Sequence, residues 1–398
     1  MAKIKEITAR EILNAKGLPT IEATVVLNDG KVGVASCSTE EDSLAAINII
    51  NKIIAPTLVG KEASIQQDID RAMIDLDATA NKSKLGANTM LSVSIAVAKA
   101  SAESSVLPLF LYLRQFIKRD NGSLRIPIPI FNLIRGIRKE GSPSDFNEFL
   151  LIPATSKTYT ESIQIGELIH KSLKKILENK VGGELSDYDE GYAPNLSSNK
   201  EAFFLLQQAA EEAHIRMGFD VFLGLDSKAS LFFKDGKYRV KYIPTALSAQ
   251  ELTSYYEELN KNMHLLYLED PLAQDDWEGW SFLFGKMSET SIIAGGDLIS
   301  TNPYKLQIAL EKKTINGIVI KPSQAGTVIE CLAIAQAAQE TGLKIIVSHR
   351  GVETNDDFLS DFSVAVAADY IRIGSLARGE NIAKYNRLLQ IESQLRIL

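Results

Sequence analysis

The sequence predicts an α/β protein in which a smaller N-terminal α+β domain precedes a barrel of alternating strands and helices. The length of 398 residues exceeds what one ordinary core supports. The first part of the chain has the pattern of antiparallel strands followed by helices, whereas the remainder alternates short apolar runs with amphipathic stretches. We place the change at residue 123, which gives domains of residues 1–123 and 124–398.

The N-terminal domain begins with strands and continues with helices. The segment "PTIEATVVLNDGKVGVAS" predicts two strands joined by a turn at Asp29 and Gly30, and we expect a helix from Glu40. Residues 64–117 predict further helices, among them "GANTMLSVSIAVAKASAESS". This last segment carries alanine and serine on every face, so we expect it to be packed between other elements.

The second domain contains eight short apolar runs, which we interpret as strands. Helical patterns such as "PYKLQIALEKK" and "TVIECLAIAQAAQETG" separate the later runs. Eight such units favour a closed parallel barrel, with a doubly wound open sheet as the competing arrangement. The runs are "IPIPIFNLI", "FLLIPA", "VFLGLD", "HLLYLED", "SIIAGGD", "GIVIK", "KIIVSH" and "YIRIG".

Composition and charge argue against several classes of protein. The net charge is −7, and the basic groups around residues 135–139 and 171–175 lack the interleaved aromatic residues of a nucleic-acid surface. No run approaches the roughly 20 apolar residues of a membrane helix, and the N-terminus has no apolar signal core. We therefore expect a cytoplasmic protein without nucleic-acid or membrane partners. Cys37 and Cys331 have no metal-type spacing and are expected to be reduced thiols.

Charged residues follow the predicted strands in series, which a chance distribution of helix caps would not produce. In a barrel such strand ends converge on one mouth. Carboxylates there suit a hard cation such as Mg²⁺, and the basic residues suit an anionic substrate and an acid/base lysine. The pattern suggests proton abstraction beside a carboxylate. The residues are Asp226, Glu269, Asp270, Asp297, Lys321, His349, Arg350 and Arg372.

The chain resembles the enolase (phosphopyruvate hydratase) family over nearly its whole length. Segments that carry the resemblance are "MIDLDATANKSKLGAN", "DEGYAPNL", "FFKDGKY", "LEDPLAQDDW", "SHRGVET" and "AKYNRLLQIE", in the order of the family. The resemblance implies an enolase-type TIM-like βα barrel whose first elements depart from simple alternation, a smaller N-terminal α+β domain, Mg²⁺, the substrate 2-phosphoglycerate and a homodimer.

The resemblance also assigns roles to single residues. It implies that Lys321 removes the α-proton, that Glu148 belongs to the proton-transfer network, and that Asp189 stands where the family has the acid that helps expel the hydroxyl. Asp226 and Glu269 match two of the three carboxylates of the principal Mg²⁺ site. His349, Arg350 and Arg372 match positions that hold the substrate.

The chain departs from the family pattern at several of these positions. An ungapped alignment puts Gly296 at the third carboxylate, with Asp297 after it, and puts Arg372 at a lysine of the last strand. Further departures are Asp189 for a glutamate, Glu190 for a glycine, Lys139 for a histidine, Gly351 for a serine, and a flap shortened to "SCSTEEDS".

These departures predict a hydratase activity that is lost or strongly reduced, since losing a single electrostatic donor costs about 10² to 10³ in rate. One alternative is a functional enolase in which Asp297 or water completes the Mg²⁺ shell. A second is a non-catalytic regulatory partner that forms a heterodimer with a genuine enolase, and a third is another lyase or isomerase reaction with Lys321 as base. "NAKG", at residues 14–17, alters polar contacts expected across the family's dimer.

Overall fold

A three-stranded antiparallel sheet opens the chain in the computed structural model, which describes residues 2–38, 42–117, 124–136, 144–181, 187–188, 191–241 and 243–397. The turn predicted at Asp29 and Gly30 is confirmed, because Gly30 has a φ of +83° and its N–H donates to the Leu27 carbonyl at 3.0 Å. The strands, in the order of the sheet, are β1 (Ile4–Leu13), β2 (Pro19–Leu27) and β3 (Val32–Cys37).

Helices complete the N-terminal domain. The helix that we predicted from Glu40 begins at Ser43, because Asp42 is extended and its carboxylate accepts the Leu44 N–H at 3.0 Å. The helices are α1 (Ser43–Ile49), a π-helical turn (Ile50–Ile54), α2 (Ala55–Leu58), α3 (Gln66–Asp77), α4 (Ala87–Ser104) and α5 (Leu109–Arg114). As predicted, α4 is buried on nearly every face, and it packs against β2 and β3.

All eight predicted runs form strands of one closed barrel, which decides against the open sheet. The barrel closes through parallel pairing of its last strand with its first. One strand departs from the parallel arrangement: the second pairs antiparallel with both neighbours. The barrel strands are β4 (Ile128–Arg135), β5 (Glu148–Pro153), β8 (Val221–Asp226), β11 (Leu265–Glu269), β12 (Ile292–Gly295), β13 (Gly317–Ile320), β14 (Lys344–Ser348) and β15 (Tyr370–Gly374).

Helices surround the barrel, and short ribbons extend from it. The helices are α6 (Tyr159–Val181), α7 (Asn199–Glu212), a 3₁₀ turn (Ala229–Phe232), α8 (Ala249–Met263), α9 (Trp277–Met287), α10 (Pro303–Glu311), α11 (Pro322–Ala325), α12 (Val328–Glu340), α13 (Phe358–Ala365) and α14 (Gly379–Leu395). The ribbons are β6 (Asp187–Tyr188) with β7 (Gly191–Tyr192), and β9 (Phe233–Lys234) with β10 (Lys237–Tyr238). No described helix has the length and apolar character that crossing a bilayer demands.

The barrel interior is filled by side chains, so it is a packed core and not a channel. The residues that pack inside it include Ile130, Leu150, Tyr267, Val319 and Ile346. A larger core lies between the strands and the surrounding helices and continues into the N-terminal domain. A ligand can therefore reach the barrel only at an end.

Buried polar groups connect the N-terminal domain to the barrel. The Asp70 carboxylate accepts the Ile329 N–H at 2.9 Å, and the Ser94 hydroxyl accepts the Val328 N–H at 3.0 Å, so both side chains cap the first turn of α12. At the start of the chain, the Ala15 N–H donates to the Glu353 carbonyl at 2.9 Å. These contacts fix the N-terminal domain against the barrel mouth.

Candidate active site

The barrel brings the predicted strand-end residues to one mouth. Asp226 and Glu269 are the last residues of adjacent parallel strands and are register partners. Glu148 is the first residue of the antiparallel strand β5, and it pairs with Asp226. The reversal of β5 therefore explains how a residue at the start of a strand joins residues at the ends of others.

Arg372 lies at the centre of this mouth and forms ion pairs with three carboxylates. Its guanidinium contacts Asp226 and Glu269 at 3.0 Å each and Glu148 at 3.2 Å. The arginine is 5% exposed, and the three carboxylates are 0 to 4% exposed. Burial favours the neutral form of Arg372, but the carboxylates led by Glu269 outweigh it and raise its pKa well above the usual value.

Asp226 has one satisfied and one unsatisfied oxygen. Its Oδ2 accepts hydrogen bonds from Arg372 and from the Asn147 amide at 3.1 Å, whereas its buried Oδ1 has no partner among the described residues. Burial opposes ionisation of Asp226, but Arg372 and Lys321 outweigh it and hold its pKa below the usual value. The carboxylate is therefore charged, with one oxygen still able to bind a ligand.

Asp270 lies close to Asp226 and Glu269, and backbone N–H groups of the loop after β12 hold its carboxylate. Its carboxylate accepts the Gly296 N–H at 2.9 Å and the Asp297 N–H at 2.8 Å. Asp270 is 5% exposed, and burial together with the charge of Glu269 raises its pKa to about 8. A Cβ added at Gly296 would lie 2.6 Å from Asp270 Oδ2 and 2.8 Å from Glu269 Oε1. Glycine at 296 thus leaves room for Asp270.

The basic side of the mouth is formed by Lys321, His349 and Arg350. Lys321 Nζ lies 3.5 Å from Glu269 Oε1; burial favours the neutral amine, but the charge of Glu269 outweighs it and raises the pKa of Lys321. Burial lowers the pKa of His349 to about 4, so its imidazole is neutral at pH 7, and its buried Nδ1 has no described partner. Arg350 is exposed at the rim.

The residues of the mouth line a cavity of about 250 Å³. Its walls bring together six of the eight residues to which the resemblance assigned roles. Of the other two, Glu269 is fully buried and does not line the cavity. Asp189 lies outside the described residues, together with Lys139, Glu190 and part of the flap. The lining residues are Asn147, Glu148, Asp226, Lys228, Asp270, Asp297, Lys321, His349, Arg350, Gly351 and Arg372.

Sequence reasoning gave no role to several groups that the structure places here. Asn147 donates to both Glu148 and Asp226, and the Tyr267 hydroxyl donates to Glu269 Oε2 at 2.5 Å. Lys228 reaches the cavity from a left-handed backbone position with a φ of 48°. Among the lining residues to which the resemblance gave no role, Asp270 and Asp297 had a sequence signal, since each stands at the end of a predicted strand.

The donor set fits a divalent cation. One ligand atom each of Asp226, Glu269 and Asp270 can be chosen so that all three lie within 4.8 Å of one another, and all three residues are buried. Carboxylate oxygens are the ligands that Mg²⁺ prefers, and the unpartnered Oδ1 of Asp226 supports the fit. The neighbouring guanidinium of Arg372 opposes it by charge.

Comparison with known proteins gives the same assignment in both domains. Residues 123–397 match the family model described as "Enolase, C-terminal TIM barrel domain", and residues 38–113 match "Enolase, N-terminal domain". The chain is 38% identical over 416 residues to the enolase of Acidothermus cellulolyticus, in an alignment that covers 99% of this chain and 95% of that protein. The chain belongs to the enolase family.

Proposed function

We propose that this chain is an enolase-family protein that keeps a cation-binding and anion-binding mouth, but whose dehydration of 2-phosphoglycerate is lost or strongly reduced. The observation that carries the proposal is the position of Arg372, whose guanidinium bridges Glu148, Asp226 and Glu269. Two of these carboxylates are expected metal ligands and the third is expected to take part in proton transfer. All three are thus engaged by the protein itself.

The three ion pairs hold Arg372 in the mouth, because moving its guanidinium away would cost free energy. Its planar fork holds two carboxylates at once, whereas the lysine of the family pattern is a single point charge on a flexible stem. Moving the guanidinium away would leave buried carboxylates without a partner. A substrate that needs these groups must therefore compete with Arg372.

Asp226, Glu269 and Asp270 would hold Mg²⁺, which supplies electrostatic stabilisation of the charge that accumulates on a substrate carboxylate as its α-proton leaves. The resemblance gives Lys321 the role of the base, and its Nζ lies 3.5 Å from Glu269 Oε1. Arg350 at the rim and the neutral His349 remain available to orient an anionic group. A cation site together with these basic groups suits a small phosphorylated carboxylate such as 2-phosphoglycerate.

A functional enolase is the second candidate, and one observation favours it. Asp270 offers a third carboxylate beside Asp226 and Glu269, so the metal site need not lack a ligand. Turnover then depends on whether the other departures, Asp189 and the shortened flap among them, can be tolerated. Dimerisation, with a second copy or with a genuine enolase, stays a prediction.

A coupled assay separates the two candidates. We expect purified protein with 2-phosphoglycerate and millimolar Mg²⁺ to form phosphoenolpyruvate no faster than the Lys321→Ala variant. Calorimetric titration with 2-phosphoglycerate should nevertheless show binding that the Arg350→Ala variant weakens. Phosphoenolpyruvate formation clearly above the Lys321→Ala control would overturn the proposal and establish the functional enolase.

A further inference from the structure

The position of the Asp270 carboxylate depends on the absence of a side chain at Gly296. A Cβ at Gly296 would lie 2.6 Å from Asp270 Oδ2, a distance that no side-chain carbon tolerates. The Asp270 carboxylate therefore occupies space through which a side chain at 296 would project. It lies next to Glu269, because the same Cβ would be 2.8 Å from Glu269 Oε1.

Asp270 is held rigidly in this position. Its backbone has a left-handed φ of 43°, and the backbone N–H groups of Gly296 and Asp297 each bind one of its two oxygens, at 2.9 and 2.8 Å. Each oxygen keeps a lone pair after accepting one hydrogen bond. The carboxylate is thus oriented and still able to bind a cation, as a preorganised ligand should be.

An independent observation, on Asp226, also points to a ligand at this cluster. Asp226 is 4% exposed, and its Oδ1 has no hydrogen-bond partner among the described residues although its Oδ2 has two. A buried, unpaired carboxylate oxygen is costly, and a cation bound between Asp226 and Asp270 would remove this cost.

We propose that Asp270 supplies the third carboxylate ligand of the divalent cation, in place of the side chain absent at Gly296. The inference rests on the part of the proposed function that gives the mouth a cation. It differs from the alternative in which Asp297 or water completes the Mg²⁺ shell. Asp297 is half-buried, lies outside the group of three carboxylates, and contributes its backbone N–H to holding Asp270.

The test is a titration with Mn²⁺, followed by electron paramagnetic resonance, on the full chain and two variants. Asp297→Asn is the matched control, because both variants replace an aspartate that lines the cavity by the isosteric asparagine, and the two residues follow neighbouring strands of the barrel. We expect Asp270→Asn to weaken Mn²⁺ binding by about tenfold or more, and Asp297→Asn by no more than about twofold to threefold. Equal effects, or the larger effect from Asp297→Asn, would overturn the inference.

Gly296→Ala is a third variant, and it keeps every carboxylate. Its methyl group must displace Asp270, so Mn²⁺ binding should weaken, while unchanged binding counts against the inference. Melting temperatures in EDTA establish that each variant is folded. Wild-type protein that binds no Mn²⁺ at millimolar concentration refutes the inference and leaves the loss of hydratase activity standing. Phosphoenolpyruvate formation refutes that loss without affecting the metal assignment.

Discussion

Replacing Arg372 by methionine should destabilise the metal-free protein strongly. The change removes a guanidinium that is 5% exposed and makes three contacts of 3.0 to 3.2 Å with carboxylates that are at most 4% exposed. Removing one partner of a buried ion pair costs about 3 to 5 kcal/mol, because the remaining charge is buried without compensation. We expect a loss of that size in the free energy of unfolding in EDTA.

Two comparison variants show whether the loss comes from buried charge. Arg372→Lys keeps the positive charge but cannot bridge three carboxylates, so we expect a smaller loss of about 1 to 3 kcal/mol. Arg216→Met removes an arginine whose side chain is 66% exposed and which pairs with Asp220 at 2.8 Å. That surface pair should cost less than about 1 kcal/mol.

Urea denaturation in EDTA and in millimolar Mg²⁺ provides the measurement. In Arg372→Met the guanidinium no longer competes with a cation for the carboxylates. Mg²⁺ should therefore raise the free energy of unfolding of Arg372→Met more than that of the wild-type protein. The reasoning is refuted if Arg372→Met costs no more than Arg216→Met in EDTA. It is also refuted if Mg²⁺ stabilises the wild-type protein and Arg372→Met equally.

Two further changes test the packing and electrostatics outside Arg372. Gly296→Ala should lower the free energy of unfolding by about 1 to 3 kcal/mol, because the added methyl group would collide with Asp270. Gly285→Ala, in a helix with open space around it, should raise the free energy of unfolding by about 0.5 to 1 kcal/mol. Urea denaturation measures both changes, and equal effects would contradict the steric argument. Burial raises the pKa of Asp70 from 3.8 to about 7, so the folded state keeps a proton that the unfolded state has lost. As the pH rises from about 4.5 to about 7.5, the free energy of unfolding of the wild-type protein should therefore fall by about 3 kcal/mol relative to that of Asp70→Asn. Urea denaturation across this pH range measures the difference, and a difference that does not change with pH would contradict the prediction.

The strands and the positions of the charged residues could be predicted from the sequence because both are local signals. Buried strands appear as short apolar runs, and a charge directly after such a run lies at a strand end whatever the topology. The apolar runs alone did not predict the antiparallel direction of β5, although the family resemblance implied that the first barrel elements depart from simple alternation. Residues 136–147, between β4 and β5, have no helical pattern, and a parallel connection normally needs a crossover helix, so the sequence held a signal for this reversal.

Contacts across the mouth could not be predicted, because they depend on how distant residues converge. Arg372 and Glu148 are separated by 224 residues, and nothing near either position indicates that they form an ion pair. The position of Asp270 depends on a left-handed φ of 43° and on two N–H groups from another loop. The sequence indicates Gly296 as the place of a missing ligand and Asp297, the next residue in the chain, as one candidate replacement; the carboxylates that the structure groups are those of Asp226, Glu269 and Asp270.

The charge balance of the mouth explains why an internal guanidinium and an external cation can both belong to this site. Five carboxylates line or underlie the cavity, whereas Lys321 and Arg372 are the buried cations among the described residues there. Arg372 therefore allows the cluster to fold without metal but leaves an excess of negative charge. Asp226 illustrates this balance, because its Oδ2 binds the guanidinium of Arg372, whereas its Oδ1 has no hydrogen-bond partner among the described residues. A divalent cation at Oδ1 would reduce the excess without requiring Arg372 to leave, although at this short range it would still be repelled by the guanidinium.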